Sequence, residues 1–399
     1  VIVPRFEPFQ ALRYRRNIEL HDVCSPPYDV LSDADRLALA TRHEDNIVHI
    51  DMPVSAAGNA YEHAASILNQ WISDGVLVRD ETPSFTLYRM RFTDSTGKPR
   101  NVVGVIGALE VVDEGAGGVL PHERTTPKAK TDRLELTRAT DANLSPVWGL
   151  SLAEGLSALL TAPAELLGEI TDDLGVVHSV ERVTDANRIT QISAAITAHP
   201  VVIADGHHRY AISRTYRDET RERTNSKSTG AELTMTYINE LIDEQLSVAA
   251  IHRLYEGITY KQLAAALSPF FTINDADSVG PTTLSQMNER GSLCLVAKTG
   301  RTHWLTPIAE RFTGVRNLDS AYLEHALSSV QHEVRYQHGV TEVQHELQTS
   351  DATAAILIRP VSVAEIQRTA NEGLLMPPKS TFFSPKLRTG FVLREMKTR

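Results

Sequence analysis

The chain has 399 residues, of which 42% are hydrophobic and 23% are charged, and its formal net charge is −10. Its length exceeds that of one ordinary hydrophobic core, and its composition is typical of a folded globular protein. The acidic balance argues against a nucleic-acid binder, which normally presents a basic face. No apolar run approaches the roughly 20 residues that span a bilayer, so we expect no membrane partner.

The cellular compartment follows from the N-terminal segment and the cysteines. Residues 1–16 carry charges and prolines and lack the apolar centre of a secretory signal. Only Cys24 and Cys294 are present, too few for a disulfide framework or a thiolate zinc site. We therefore expect a reducing, cytoplasmic environment.

The first third of the chain predicts helices and strands in mixed order. Two prolines that fix φ make a rigid turn of residues 25–31. Ser32, with Asp35 three residues later, is typical of an N-cap and predicts a helix as far as residue 41. A second helix is predicted over 58–74, and an antiparallel hairpin of strands is predicted over 84–92 and 102–112.

The rest of the chain continues this mixture. In chain order, the pattern predicts a strand over 147–152, a helix over 156–167, an extended segment over 176–183, a helix over 185–198, and strands over 201–204, 231–238 and 246–251. Beyond residue 260, helices alternate with strands such as 293–297 and 354–358. No regular βαβ rhythm is present, so the predicted fold class is α+β.

The segment Asp205-Gly206-His207-His208-Arg209-Tyr210 follows a buried strand and opens a helix. It combines a carboxylate, a glycine that lets a ligand approach the backbone, helix N–H groups and a guanidinium, which is the chemistry of a phosphate site. Asp205 would bind Mg²⁺ or orient a hydroxyl. The alternative is an ordinary helix start in which Asp205 is the N-cap and the histidines lie on the surface.

A second motif, His122-Glu123-Arg124-Thr125, follows another strand. Glu123 is a candidate general base, and the alternative is a surface ion pair. The basic segment that follows suits a polyanionic ligand or a solvated helix; its cations are Lys128, Lys130, Arg133 and Arg138. In the C-terminal segment, Lys379-Ser380 lacks the glycines of a P-loop.

Six segments taken together resemble a widespread bacterial and archaeal family of unknown function. They are residues 26–31, 122–125, 132–134, 143–146, 204–210 and 376–381, so the resemblance covers nearly the whole chain. The core of that family is similar to the ParB/sulfiredoxin fold. Within that fold, Asp-Gly-His-His-Arg resembles the signature of free serine kinases, which phosphorylate L-serine with a nucleotide such as ADP or ATP.

The resemblance implies a role for each matching residue. Glu123 would be the catalytic base, and Asp205 would be the second catalytic acid and a Mg²⁺ ligand. Gly206, His207, His208 and Arg209 would form the phosphate-binding turn. Beyond the resemblance, Arg124 and Thr125 are candidates for contact with the phosphate or nucleotide, and the candidates for substrate binding or closure of the site are Tyr28, Asp29, Arg253, Lys379, Ser380 and Lys386.

The resulting hypothesis is a phosphotransferase that uses Mg²⁺ and ATP, ADP or pyrophosphate, with free L-serine as the small-molecule acceptor. A long interval between Glu123 and Asp205, with an insertion over 143–183, would reshape the acceptor pocket. A non-catalytic nucleotide-binding regulator of ParB-like type and a phosphatase are the alternatives. The sequence predicts three regions, an N-terminal α+β region over 1–115, a core over 116–258 and a C-terminal α+β region over 259–399. A homodimer is possible, and the oligomeric state remains open.

Overall fold

The computed structural model describes residues 3–54, 58–94, 97–123 and 130–397. It confirms the predicted α+β class. The chain forms two compact units: one contains the residues up to 247 together with those after 384, and the other is Val248–Ser384. This division differs from the predicted three regions, because strands from both sides of residue 115 share one sheet.

The strands are numbered in chain order. They are β1 (Phe6–Glu7), β2 (Leu12–Tyr14), β3 (Leu77–Arg79), β4 (Phe85–Thr93), β5 (Pro99–Glu110), β6 (Val119–Pro121), β7 (Ala142–Asn143), β8 (Val147–Ser151), β9 (Glu165–Thr171), β10 (Val177–Val183), β11 (Val201–Asp205), β12 (Leu233–Glu240), β13 (Val248–Ala249), β14 (Ile251–Glu256), β15 (Phe271–Ala276), β16 (Leu293–Ala297), β17 (Thr302–Pro307), β18 (Glu333–His338), β19 (Ala354–Leu357), β20 (Phe382–Phe383) and β21 (Arg394–Glu395).

The helices are numbered in the same way. They are α1 (Leu20–Val23), α2 (Asp33–Arg42), α3 (Val48–Asp51), α4 (Ala60–Ser73), α5 (Lys130–Thr140), α6 (Leu156–Thr161), α7 (Ala186–Ile196), α8 (His207–Thr224), α9 (Tyr260–Leu267), α10 (Thr283–Arg290), α11 (Asp319–Leu327), α12 (Val340–Thr349) and α13 (Val363–Glu372). Short 3-10 helices cover Tyr28–Val30, Gly230–Glu232, Asp243–Gln245 and Ala309–Phe312.

The first unit is built on a mixed sheet with nine strands in the described residues. Their order is β6-β11-β8-β12-β5-β4-β10-β9, and β1 pairs with β5. Strand β11 runs parallel to β6 and antiparallel to β8. The predicted hairpin is confirmed as the antiparallel pair β4 and β5.

Strand β11 is held in place by burial of its apolar residues. All four residues from Val201 to Ala204 are buried, as expected for a strand covered on both faces. Val201 and Ile203 belong to the main core cluster, together with Ile192 and Ile196 of α7. Helix α7 begins at its N-cap Asp185, whose carboxylate accepts a hydrogen bond from the backbone N–H of Arg188 at 2.7 Å.

Two predicted elements have different bounds in the structure. The helix predicted over 156–167 ends at Thr161, because Pro163 disfavours helical backbone at the preceding residue, and the chain continues as β9. The strand predicted over 246–251 is divided into β13 and β14. As a result, His252 and Arg253 lie near the beginning of β14 and not at the end of a strand.

The second unit contains its own six-stranded sheet, in the order β15-β17-β16-β19-β14-β18. Helices α9 and α11 cover a separate core with Leu263, Leu295 and Leu323 among its buried residues. Cys24 and Cys294 are both buried and free. Within the described ranges, no helix is long and apolar enough to cross a membrane.

Gly149 lies in β8, directly opposite Ile203 of β11 and Ile238 of β12. A Cβ at this position would lie 2.6 Å from Cγ1 of Val201, which is fully buried. We therefore expect Gly149→Ala to reduce the free energy of unfolding by about 1–3 kcal/mol through overpacking. Urea unfolding followed by circular dichroism measures this change.

Gly280→Ala is the control, because a Cβ there meets nothing nearer than the Ser278 carbonyl oxygen at 3.9 Å. Equal unfolding midpoints for wild type and Gly149→Ala would contradict the close packing of β8 against β11.

Candidate functional site

The turn after β11 has a backbone conformation that favours glycine. Gly206 has φ +83° and ψ 29°, in the left-handed region, and α8 begins at His207. A Cβ on Gly206 would also lie 3.0 Å from Nε of Arg209. The positive end of the 18-residue helix α8 therefore begins at the point where β11 ends, and such a helix start favours a bound anion.

The structure brings the two strongest sequence motifs together. Pairing of β6 with β11 sets Pro121 opposite Ile203, so the residues that follow these two parallel strands leave the sheet at the same end. The rings of His122 and His207 lie 4.8 Å apart between their centroids. Two segments that are distant in the sequence therefore lie next to each other where β6 and β11 end.

His122 is a buried, neutral side chain beside Glu123. Its Nδ1 donates a hydrogen bond to the carbonyl oxygen of Ile203, because a carbonyl oxygen can only accept. Burial lowers the pKa of His122 to about 4 and outweighs the opposing effects of that carbonyl and Asp205. Its Nε2 lies 4.0 Å from Oε2 of Glu123, so at pH 7 the ring adds no positive charge next to that carboxylate.

Asp205 is held between two cations. Its Oδ2 accepts a hydrogen bond from Nη2 of Arg209 at 2.8 Å, and Nζ of Lys386 lies 3.2 Å from its Oδ1. Burial would raise the pKa of Asp205, but Lys386 and Arg209 together hold it well below its usual range. Arg209 is fixed further by a hydrogen bond from Nη1 to the carbonyl oxygen of Pro146. Asp205 therefore stays ionised near pH 7.

This geometry does not fit the expected role of Asp205 as a Mg²⁺ ligand. Each of its two oxygens contacts a positively charged group, and a metal ion bound there would be repelled by Arg209 and Lys386. The described residues also contain no group of three or more His, Cys, Asp or Glu side chains that could hold a metal ion.

Tyr28 and Asp29 lie close to the Arg209 guanidinium. Tyr28 and Arg209 line one cavity, and the guanidinium carbon of Arg133 lies 4.2 Å from the centroid of the Tyr28 ring. Burial alone would lower the pKa of Arg209, but Asp205, Asp29, Tyr28 and other neighbours raise it. Tyr28, Asp29 and Lys386 therefore belong to the same region as the Asp205–Arg209 turn.

The remaining predicted site residues fall into two groups. Arg253, Lys379 and Ser380 belong to the second unit. There, the Arg253 guanidinium carbon lies 4.6 Å from the centroid of the Tyr336 ring, and the Ser380 hydroxyl donates to the Pro377 carbonyl oxygen at 2.7 Å. Arg124 and Thr125 lie outside the described residues.

The cavity beside Arg209 contains a functional candidate that the sequence analysis missed. Its volume is about 50 Å³, and Asp51, Arg133, Asn143 and Ser145 contribute to its polar lining. Asp51 is only 2% exposed. An isolated aspartate on the four-residue helix α3 carries no motif, and its only signal is a carboxylate within the apolar sequence Ile50-Asp51-Met52-Pro53.

The sequence over residues 6–321 matches the family described as Protein of unknown function (DUF1015). The chain belongs to this family. No curated protein matches this DUF1015 sequence. Membership leaves the activity open, and the expected ParB/sulfiredoxin-like core stays a prediction.

Several solved structures are similar to this DUF1015 chain at low TM-scores. A conserved hypothetical protein from Pyrococcus furiosus is 12% identical with TM-score 0.39, covering 70% of this chain and 91% of that one. A free serine kinase in complex with AMP is 12% identical with TM-score 0.38, covering 70% and 88%. SbnI from Staphylococcus aureus, truncated at its C-terminus, is 12% identical with TM-score 0.39, covering 71% and 85%. TM-scores below 0.5 carry no inference about activity.

We expect the His122 imidazole to remain neutral across the physiological range and to titrate near pH 4, because burial disfavours its charged form. Its folded pKa lies below the ordinary value of 6.5. The stability that the neutral ring contributes is therefore complete above pH 6.5 and is lost as pH falls towards 4. NMR titration of histidine-labelled protein measures this pKa.

The His122→Asn variant identifies the resonance, and it should also reduce the dependence of unfolding free energy on pH between 4 and 6.5, to which the buried His252, with a pKa lowered to about 4, still contributes. A His122 resonance that titrates close to pH 6.5 would show that the ring is not buried as described.

Proposed function

We propose that this protein is a phosphotransferase that moves a phosphoryl group from a nucleotide or pyrophosphate to the hydroxyl of a small metabolite, with free L-serine as the first acceptor to test. One observation carries the proposal: the segment with Glu123 and the start of α8 follow the paired parallel strands β6 and β11, and the rings of His122 and His207 lie 4.8 Å apart. Phosphoryl transfer requires this combination of a base for the hydroxyl and positive groups for the phosphate.

The donor phosphates would lie at the start of α8. The helix N–H groups, the Arg209 guanidinium and the Lys386 ammonium supply positive charge there. Asp205 fixes both side chains through its two oxygens. In this proposal Asp205 is a positioning residue that remains ionised, and it neither accepts the proton nor binds a metal ion.

The acceptor hydroxyl would lie next to Glu123, whose side chain is 16% exposed. Glu123 accepts the hydroxyl proton while a bond forms between the hydroxyl oxygen and phosphorus. The bond from phosphorus to the leaving phosphate oxygen breaks, and its electron pair stays with that oxygen. Arg209 and Lys386 stabilise the charge on the transferring group, so positioning and electrostatics provide most of the acceleration.

We expect Glu123→Gln to lower phosphoryl transfer by about 100-fold or more while nucleotide affinity stays near that of wild type, since the amide cannot accept the proton. Phosphorus NMR with Mg²⁺, L-serine and either ATP, ADP or pyrophosphate follows the reaction, and a mixture with O-phosphoserine tests the reverse direction. A new phosphomonoester signal identifies the donor.

Glu169→Gln is the matched control, because Glu169 lies on β9 at the opposite edge of the sheet. Full activity of Glu123→Gln would refute the base assignment. Release of inorganic phosphate without a phosphomonoester would indicate a phosphatase, and bound but unconsumed nucleotide would indicate a regulator.

We expect Arg209→Ala to weaken binding of ADP by roughly ten- to a hundredfold, the effect of losing hydrogen bonds from a charged donor. Arg209→Lys should recover only part of this affinity, because an ammonium lacks the planar fork of the guanidinium. Isothermal titration calorimetry gives the dissociation constants.

Arg214→Ala controls for loss of an arginine from the same helix, because Arg214 pairs with the exposed Glu114. Equal ADP affinity of Arg209→Ala and Arg214→Ala would remove Arg209 from the phosphate site.

A further inference from the structure

Asp51 has a buried carboxylate oxygen whose hydrogen-bonding capacity is unused. Its Oδ1 accepts from Nη1 of Arg133 at 3.3 Å, and its backbone carbonyl oxygen accepts from the same nitrogen. Within the described part of the chain, Oδ2 is buried and has no hydrogen-bond donor. Burying a carboxylate oxygen without a donor costs free energy, so an oxygen in this state indicates a missing partner.

The missing partner is a donor and not an anion. The Arg133 guanidinium already donates from Nε to Oδ2 of Asp132 at 2.7 Å as well as to Oδ1 of Asp51, and a carboxylate oxygen can only accept. Burial raises the pKa of Asp51, and Arg133 and Arg209 only partly oppose this effect. A further cation beside Oδ2 would favour the ionised carboxylate.

Asp51 lines a cavity that also reaches one residue of the proposed reaction site. Arg209 lines the same cavity, and its guanidinium also binds Asp205 in the phosphate turn. Asn143 and Ser145 add neutral polar groups to the lining. A small ligand bound to Asp51 would therefore lie beside the residue that we assign to the donor phosphate.

We propose that Oδ2 of Asp51 binds a primary ammonium group of the acceptor, so that the substrate class is small amino alcohols, including hydroxy amino acids. The identification of this ligand as the acceptor rests on the proposed phosphotransferase function. A full positive charge compensates a buried carboxylate better than a hydroxyl does, because charge-assisted hydrogen bonds are the stronger ones. The ammonium group selects the acceptor, and the adjacent hydroxyl receives the phosphoryl group.

Binding measurements with three probes test this assignment: L-serine, ethanolamine, which keeps the ammonium and hydroxyl groups but lacks the carboxylate, and 3-hydroxypropionate, which lacks the ammonium. Dissociation constants are measured by ligand-observed NMR on the full chain, with and without AMP and with no phosphate donor. Wild type should bind L-serine and ethanolamine about tenfold or more tightly than 3-hydroxypropionate, the size expected for one hydrogen bond to a charged group.

Asp51→Asn should abolish this preference, because the amide retains one oxygen for Arg133 but carries no charge. Asp173→Asn, an exposed position with its side chain 80% accessible, should keep the preference. Circular dichroism establishes that each variant is folded, and the comparison of probes on wild type stands even where Asp51→Asn does not fold.

Equal binding of 3-hydroxypropionate and L-serine to wild type, or no binding of either ammonium compound, would overturn the assignment. Persistence of the preference in folded Asp51→Asn would overturn it as well. Ammonium-dependent binding without any phosphomonoester from either L-serine or ethanolamine in the phosphorus NMR experiment would support the Asp51 site and reject phosphoryl transfer to these amino alcohols, so the two proposals fail in distinguishable ways.

Discussion

The parallel pairing of β6 with β11 is the constraint on which the candidate site depends. Backbone hydrogen bonds between the two strands fix the register of Pro121 against Ile203, and this register determines where the residues that follow each strand must lie. Burial of β11 on both faces opposes slipping, since a shift of one residue would exchange the side chains on its two buried faces and disrupt the packing of Val201 and Ile203 in the main core. The core therefore holds the ends of β6 and β11 side by side.

The electrostatics of the site centre on a carboxylate shared between two cations. Removing either cation would leave one oxygen of the partly buried Asp205 without its charged partner, and breaking a buried ion pair is destabilising. The same arrangement links the turn at the start of α8 to the segment after residue 384, because that segment supplies Lys386. This segment is anchored in the first unit by β21, which pairs with β7. The C-terminal residues thus contribute both to the fold of the first unit and to its charge balance.

Local patterns predicted much of the secondary structure correctly. The capping box of Ser32 and Asp35 is present, because both of its hydrogen bonds join residues three positions apart. The hairpin of β4 and β5 follows from simple alternation. The helix predicted to reach residue 167 ends at Thr161 in the structure. The prediction was wrong because it followed the spacing of the apolar residues and gave too little weight to Pro163. A proline lacks the N–H that donates a helical hydrogen bond, and it restricts the backbone of the residue before it.

The sequence by itself determined the turn from β11 into α8. A buried apolar run, a glycine and a helix start define this turn, and all three lie within a few neighbouring residues. It also determined the α+β class and the DUF1015 family. Only the tertiary structure decided that Lys386 meets Asp205, that burial lowers the pKa of His122 and that, within the described residues, Asp51 has a buried oxygen without a donor. The reason is that burial and ion pairing depend on groups from distant parts of the chain. No local pattern of residues specifies which charged side chains will lie together in one buried site.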